Sequence, residues 1–350
     1  MDFKDTKIST LIPTKIVGPI HISYDDNVEL IDVPLATFEL PIWHSTKRGA
    51  IVSQKTSGIN VVVTEDVMTR SIVLEALSLE IAINCARWIK ANEKQINTVI
   101  NSTSRFAALK SIHIENVGRL LYVRLSMETG NASGHNITTK AADAVAIFVV
   151  SNFENIKYVS VSGNYCTDKK NSSINGILGR GKRVSAEILV PRDVCETILK
   201  TTPEKIVALN VKKNFVGSIL SGGVRSANAH FANVVLALYL ATGQDAANIV
   251  EASQGITFAD IDNGNLYFSV TIPNIIVGTV GNGKNYEFAS SNLGIMKCDP
   301  SDQKSAKRLS AIVAATVLCS ELSLMAAQTV EGELVKAHME LERGFHADAS

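Results

Sequence analysis

The chain has 350 residues, 46% of them hydrophobic, and its 34 lysines and arginines balance 34 aspartates and glutamates for a formal net charge of +0. That size can bury a large core and fits two domains, while the charge balance excludes a global field that would recruit nucleic acid or an anionic membrane. Five cysteines (Cys85, Cys166, Cys195, Cys298 and Cys319) are odd in number, widely separated and without metal-ligand spacing, which points to a reducing, cytoplasmic setting and no metal.

In chain order, Met1-Asp-Phe-Lys-Asp5 lacks the apolar core of a signal peptide. Residues 71–76 read as a strand, and Ser78 as the N-cap of a helix carrying Ile81, Cys85, Trp88 and Ile89 at helical spacing. Residues 109–115 and 120–125 alternate in polarity around Asn116-Val-Gly118, a hairpin signal. Residues 137–150 are helical again through Ile137, Ala141, Ala144 and Phe148, and residues 158–161 close the series as a strand. The order strand, helix, strand, strand, helix, strand describes a split βαβ, ferredoxin-like unit over residues 72–160. Residues 1–71 and 161–350 then form one larger domain around it.

The segment Val161-Ser-Gly-Asn-Tyr-Cys-Thr-Asp-Lys-Lys170 sets one carboxylate beside two ammonium groups, and Gly179-Arg-Gly-Lys182 follows, so four cations fall within fourteen positions. Interleaved glycines let backbone approach a ligand, and such a cluster suits polarising a carbonyl; a solvated surface loop is the plain alternative. Residues 228–242 form a helix of alanines and branched aliphatics ended by Gly243, with Asp245 opening the next helical run as an N-cap or as a functional acid. Residues 301–325 are apolar on nearly every face, which predicts a central helix packed on all sides or shared between subunits rather than a membrane span, since Ser310, Thr316, Ser320 and Glu321 interrupt the run. Residues 333–343 read as a short amphipathic helix bearing His338. No Gly-x-Gly-x-x-Gly opens a helix after a strand, so a Rossmann site is not supported, and Gly281-Asn-Gly-Lys284 lacks the hydroxyl of a P-loop.

Six blocks together carry a resemblance: Ser162-Gly-Asn-Tyr-Cys-Thr-Asp-Lys-Lys170, Lys213-Asn-Phe-Val-Gly-Ser218, Asn228-Ala-His-Phe-Ala-Asn233, Gly243-Gln-Asp245, Gly278-Thr-Val-Gly281 and Leu318-Cys-Ser-Glu-Leu-Ser-Leu-Met325. In their order and spacing, from Val17 to Arg343, they resemble the 3-hydroxy-3-methylglutaryl-CoA reductase family. The resemblance implies an α+β fold, with a large helix-rich substrate domain around a central buried helix and the ferredoxin-like unit as a small NADP(H) domain. It implies reduction of HMG-CoA to mevalonate and free CoA by two hydrides from NADPH, with NADH as the alternative reductant. It further implies a homodimer or higher homo-oligomer with shared active sites, while the charge balance, the cysteines and the interrupted apolar run set the chain in the cytoplasm without membrane or nucleic acid.

Residue by residue, the resemblance assigns Lys169 to the carbonyl oxygen, where one fixed donor is worth roughly 3–4 kcal/mol. Glu39 becomes the proton donor for aldehyde reduction, and Asp245 the carboxylate coupled to both, so that the two acids crowd beside one ammonium. His338 would protonate the departing thiolate, as a histidine with pKa about 6.5 can near neutrality. Arg70, Lys170 and Lys213 would hold the substrate carboxylate, with Ser162, Asp168 and Asn233 completing its hydrogen bonds. Ser45, Arg48, Lys200 and His230 fall on the CoA side. Ser104 and Arg105 match the segment that binds a ribose 2′-phosphate, and arginine suits that group. Asn131, Ser133, His135 and Asn136, with Val280, Gly281 and Gly283, match the dinucleotide loops.

Departures from the family pattern fall at those loops and elsewhere, where Phe38-Glu39-Leu40 replaces Thr-Glu-Gly and Gly223-Val-Arg-Ser226 replaces Ser-Ile-Gly-Gly. Gly130-Asn-Ala-Ser-Gly-His-Asn136 replaces Gly-Asp-Ala-Met-Gly-Met-Asn, and Gly281-Asn-Gly-Lys284 replaces Gly-Gly-Gly-Thr. The helical segment that precedes Val17-Gly-Pro19 in the family is almost absent. A divergent, catalytically weak paralogue that binds an acyl-CoA or a dinucleotide is therefore the alternative to an active reductase.

Overall fold

The computed structural model describes residues 10–336 and Met339. Strands β1 (Thr14–Tyr24) and β2 (Asn27–Ala36) form a hairpin turned by Asp25 and Asp26, at φ +51° and +62°. Helix α1 (Pro41–Gln54) follows, and then β3 (Ile59–Ala76), eighteen residues long, which belongs to two sheets. Its first part pairs with β7 (Gly181–Val190) as far as Val67, and from Met68 it pairs instead with β5 (Leu120–Glu128). The expected junction at 71/72 thus falls inside an unbroken strand.

Beyond β3 come α2 (Leu79–Ala91), α3 (Glu93–Thr103), β4 (Ala108–Val117), β5, α4 (His135–Asn152) and β6 (Ile156–Val161). The strands pair antiparallel in the order β4-β5-β3-β6, and Ile72, Leu74, Cys85, Ile89, Val123 and Val145 are buried between sheet and helices. The single helix expected after Ser78 is two helices. Ser78 Oγ caps α2 by accepting from Ile81 N at 3.3 Å, and Asn92 ends it, its side chain donating to Trp88 O at 2.8 Å. That bond satisfies a carbonyl of the last turn and frees the chain to restart as α3.

The larger sheet runs β2-β1-β3-β7-β10-β9-β8, with β8 (Ser226–Ala227), β9 (Gly255–Asp262) and β10 (Asn265–Ile275). This corrects the helix-dominated body expected for the larger part of the chain: a seven-stranded sheet is its floor. The β9–β10 turn is Asn263-Gly264, both at positive φ as a two-residue hairpin of this hand requires. Above the sheet lie the helix Phe231–Ala241 and the central helix Ser305–Gln328. By length and composition the central helix could cross a membrane, yet 94% of its apolar window is enclosed by protein. Its hydroxyls turn back onto the helix, Ser310 Oγ donating to Lys307 O and Thr316 Oγ1 to Ile312 O, each at 2.7 Å. Helix α1 crosses it at Gly49, where a β-carbon would lie 2.1 Å from Cys319 O, so only glycine fits.

Candidate functional site

The loop after β6 is folded around Ser71. Its Oγ accepts from the backbone N–H groups of Gly163, Tyr165 and Cys166 at 3.1–3.2 Å and lies 3.4 Å from Cys166 Sγ. The loop then runs through left-handed residues: Asn164 at φ +53°, Thr167 at +37° and Lys169 at +56°. Positive φ is costly for a β-branched residue, so contacts must hold it. Thr167 Oγ1 meets Ser172 Oγ at 2.6 Å, and Thr167 O accepts from Asn175 Nδ2 at 3.2 Å. Lys169 N donates to Glu251 Oε1 at 2.6 Å, which fixes the backbone that carries the ammonium.

Beneath this loop lies a buried charge network. Arg180, with a fully buried side chain, reaches Glu251 Oε1 at 2.8 Å and Asp168 Oδ1 at 2.9 Å. Asp168 also takes Arg70 at 3.4 Å and lies 3.7 Å from His135 Nε2. Burial pushes the Asp168 carboxyl up, but Arg180, His135 and Arg70 outweigh it and hold its pKa below the ordinary value. Burial and then Arg180 push His135 down to about 4, with Asp168 opposing, so the ring is neutral at pH 7. From the sequence Arg180 counts only as one of four clustered cations, and Glu251 carries no role. Arg180 was visible as a cation between glycines; Glu251 sits in a four-residue helical turn, Ile249–Ala252, with no local signal.

Lys169 Nζ lies 2.8 Å from Asp245 Oδ2, both side chains being partly open to solvent. The hydrogen bond to Asp245 raises the Lys169 pKa against the opposing effect of burial. Burial raises that of Asp245, but the Lys169 bond and the Ala247 N–H overcome it, leaving the carboxyl below its usual range. Asp245 Oδ1 accepts from Ala247 N at 3.1 Å and caps the turn Ala246–Asn248, as its position after Gly243 suggests, while Oδ2 faces the lysine. Glu39 does not join them. Within the chain its Oε2 accepts from Asn233 Nδ2 at 2.7 Å, so the expected threesome is a pair here.

Glu39 belongs to a second cleft of about 390 Å³, lined also by Ser45, Arg48, His230 and Asn233. Its back wall is the central helix: fully buried Glu321 accepts from His230 Nδ1 at 2.8 Å, from His230 N at 3.1 Å and from Ala229 N. Burial raises the Glu321 carboxyl, but His230 and those backbone donors hold it down as an anion. Arg48 is tied to Ser323 and to Glu333. Lys213 lies in a π-helical stretch, Asn210–Gly217, where burial lowers its pKa with Glu321 opposing. Lys170 is exposed and donates to Asp168 O, and Lys200 is exposed and joins neither cluster. His338 lies outside the described residues.

The segments expected at the dinucleotide come together. Ala132 bridges to Val280, Thr279 N donates to Asn131 O at 2.9 Å, and a β-carbon on Gly278 would lie 2.5 Å from Ser133 N. They line a cleft of about 620 Å³ with Phe106, whose exposed ring lies under the Arg105 guanidinium at 4.7 Å. Gly281, at φ +96°, has open space where a β-carbon would stand. Asn131 faces inward, donating to Asp302 O at 2.6 Å and accepting from Ala306 N at 3.1 Å at the start of the central helix. His135 contacts Ser133 and Asn248 at 3.4 and 3.2 Å, Asn136 is exposed, and Ser104 Oγ accepts from Phe106 N.

The site thus combines an ion-paired lysine on a loop with positive φ angles and a cleft of about 620 Å³ lined by residues 128–132 and Val280. The sequence profile described as hydroxymethylglutaryl-coenzyme A reductase matches residues 9–343, and the chain belongs to that family. Among its relatives is 3-hydroxy-3-methylglutaryl-coenzyme A reductase 2 of Dictyostelium discoideum, 41% identical over 97% of this chain and 65% of that protein. The reductase of Phycomyces blakesleeanus is 41% identical over 96% of this chain but only 29% of its own length, and that of Methanocaldococcus jannaschii is 41% identical over 95% and 82%. The chain thus spans less than two thirds of the first two relatives. In fold it is similar to the class II reductase of Streptococcus pneumoniae solved bound to NADPH, with a TM-score of 0.75 at 16% identity over 94% of this chain and 78% of that one.

Proposed function

We propose that this chain reduces (S)-3-hydroxy-3-methylglutaryl-CoA to mevalonate and free CoA, with NADPH as reductant. The observation that carries the reading is the Lys169–Asp245 pair, held at 2.8 Å on a loop that Ser71 and Glu251 anchor from below. The dinucleotide, when bound, supplies hydride. Lys169 lies against the oxygen of the reacting carbonyl, where its fixed charge stabilises the developing alkoxide, and Asp245 keeps that ammonium protonated and aimed. Glu39 delivers the proton for the aldehyde stage, and His338 protonates the thiolate of CoA. Arg70, Lys170 and Lys213, with Ser162, Asp168 and Asn233, receive the substrate carboxylate. Ser45, Arg48, Lys200 and His230 meet the CoA moiety.

In this reading residues 72–160 are the NADP(H) domain, ferredoxin-like rather than Rossmann, and residues 1–71 with 161–350 the substrate domain. Arg105 and Ser104 hold the 2′-phosphate at the rim of the cleft, and the loops 131–136 and 280–283 hold the rest. The protein acts as a cytoplasmic homodimer or higher homo-oligomer, with Glu39 and the Lys169–Asp245 pair of one site drawn from different subunits. What supports this is that no hydrogen bond or ion pair joins Glu39 to either residue within the chain, while all three are open to solvent. A binding paralogue is favoured by one feature, the Asn131 side chain being occupied by Asp302 and Ala306.

The test is purified protein with the thioester and NADPH or NADH. Two dinucleotides oxidised per mevalonate, with release of free thiol and loss of turnover in Lys169→Ala, is the expected result. Protein that binds the thioester but oxidises neither dinucleotide is the paralogue, and the reductase reading is then wrong.

A further inference from the structure

Lys284 is a buried lysine without a counter-ion. Its side chain is 8% exposed, and Nζ donates to Gly243 O at 3.0 Å and to Asn282 O at 3.2 Å. No carboxylate of the described residues lies within ion-pair distance of it, and burial pushes its pKa down to about 8 with Asp245 opposing. An ammonium taken out of water without a partner costs several kcal/mol, so the contacts that keep it there need a reason.

The place it occupies supplies one. The turns at Gly243 and Gly283 touch backbone to backbone: a β-carbon on Gly243 would lie 2.2 Å from Gly283 O, and one on Gly283 would lie 2.1 Å from Gly243 O. Gln244 clamps the same two segments, donating from Nε2 to Gly278 O and accepting at Oε1 from Gly278 N, both at 3.0 Å. Asp245 is the next residue along. We propose that Lys284 is a positioning residue that locks the turn bearing Asp245 to the loop 280–283 and so keeps Asp245 directed at Lys169, its charge adding to the Lys169 and Ala247 N–H contacts that hold the carboxyl anionic. The groups facing it are Asp245, with Lys169 beyond, and Lys297 and Asp299 across a neighbouring cleft of about 810 Å³.

This rests on the proposed reductase activity, and its test has a readout independent of turnover. In protein labelled with [13Cε]lysine, one resonance should titrate near pH 8, vanish in Lys284→Met and move to lower pH in Asp245→Asn. In thioester reduction, wild-type kcat should fall with a midpoint near pH 8. Lys284→Met should lower kcat at pH 7 on the order of tenfold and flatten that limb, with the thioester KM unchanged, while Lys284→Arg restores kcat and holds it to pH 9. A merely structural lysine would not move the limb. The inference is overturned if no lysine titrates below pH 9, or if Lys284→Met keeps the wild-type kcat and pH profile. Should the wild type not reduce the thioester at all, the reductase reading falls, and the lysine titration with its response to Asp245→Asn alone decides for or against the role of Lys284.

Discussion

Lys169 Nζ and Asp245 Oδ2 stand 2.8 Å apart, joining the loop after β6 to the turn that follows the helix Phe231–Ala241. An ammonium fixed in this way stabilises an alkoxide more than it stabilises a neutral carbonyl, so its removal should appear in kcat rather than in substrate binding. Lys169→Ala is expected to lower kcat by about 10²–10³, corresponding to roughly 3–4 kcal/mol. Asp245→Asn should reduce kcat as well, because the amide leaves the ammonium without its counter-charge. Steady-state thioester reduction checks both; wild-type kcat in Lys169→Ala would remove the lysine from the chemistry.

Glu251 supports that pair from below, linking Lys169 N to the guanidinium of Arg180 in a place where both side chains are fully buried. Breaking a buried ion pair by deleting one partner leaves the other charge uncompensated and costs about 3–5 kcal/mol. Glu251→Ala should therefore lower the denaturant midpoint markedly. Glu251→Gln keeps an acceptor for Lys169 N and should cost less. Equal midpoints for the two variants would mean that the acceptor for Lys169 N contributes nothing, and a wild-type midpoint in Glu251→Gln would mean the same of the charge on Glu251.

How much of this was legible in the sequence depends on how far apart the partners lie. Ser78, Cys85 and Ile89 announce α2, and Asn116-Val-Gly118 announces the β4–β5 turn, because each signal is local. Asp25-Asp26 and Asn263-Gly264 carry equally local turn information for β1–β2 and β9–β10, but the strands they join are long and interrupted in polarity, so their pattern hides the larger sheet. Lys169 and Asp245 were reachable through motif resemblance. Ser71, Arg180 and Glu251 were not assigned, since each acts by meeting backbone or charge from segments that only the fold brings near. The separation of Glu39 from the pair was invisible for the same reason.

His135 gives a pH dependence of stability whose sign is set by its depressed pKa. Folded, the ring titrates at about 4; unfolded, at about 6.5. Between these values the unfolded chain binds more protons, so stability rises with pH across the window. The contribution is fully present above pH about 6.5 and is lost as pH falls towards 4, amounting to at most about 3 kcal/mol. Thermal or chemical unfolding of wild type and His135→Asn from pH 7 to 4 checks this. The wild-type curve should fall more steeply, and parallel curves would show that the ring titrates alike in the folded and unfolded protein.

In the proposed cofactor site, Arg105 should separate the two dinucleotides. Its guanidinium is exposed and stacked on Phe106 at 4.7 Å, so it is oriented while still carrying free donors at the rim of the cleft. A charge-assisted hydrogen bond to a 2′-phosphate contributes about 1.5–3 kcal/mol, which predicts a rise of roughly 10- to 100-fold in KM for NADPH in Arg105→Ala. NADH has no phosphate there, and its KM should not change. Added salt should weaken NADPH more than NADH in the wild type and equalise the two in the variant, because screening acts on the phosphate contact alone. If Arg105 were simply a solvated side chain, both dinucleotides would respond alike to the substitution and to salt.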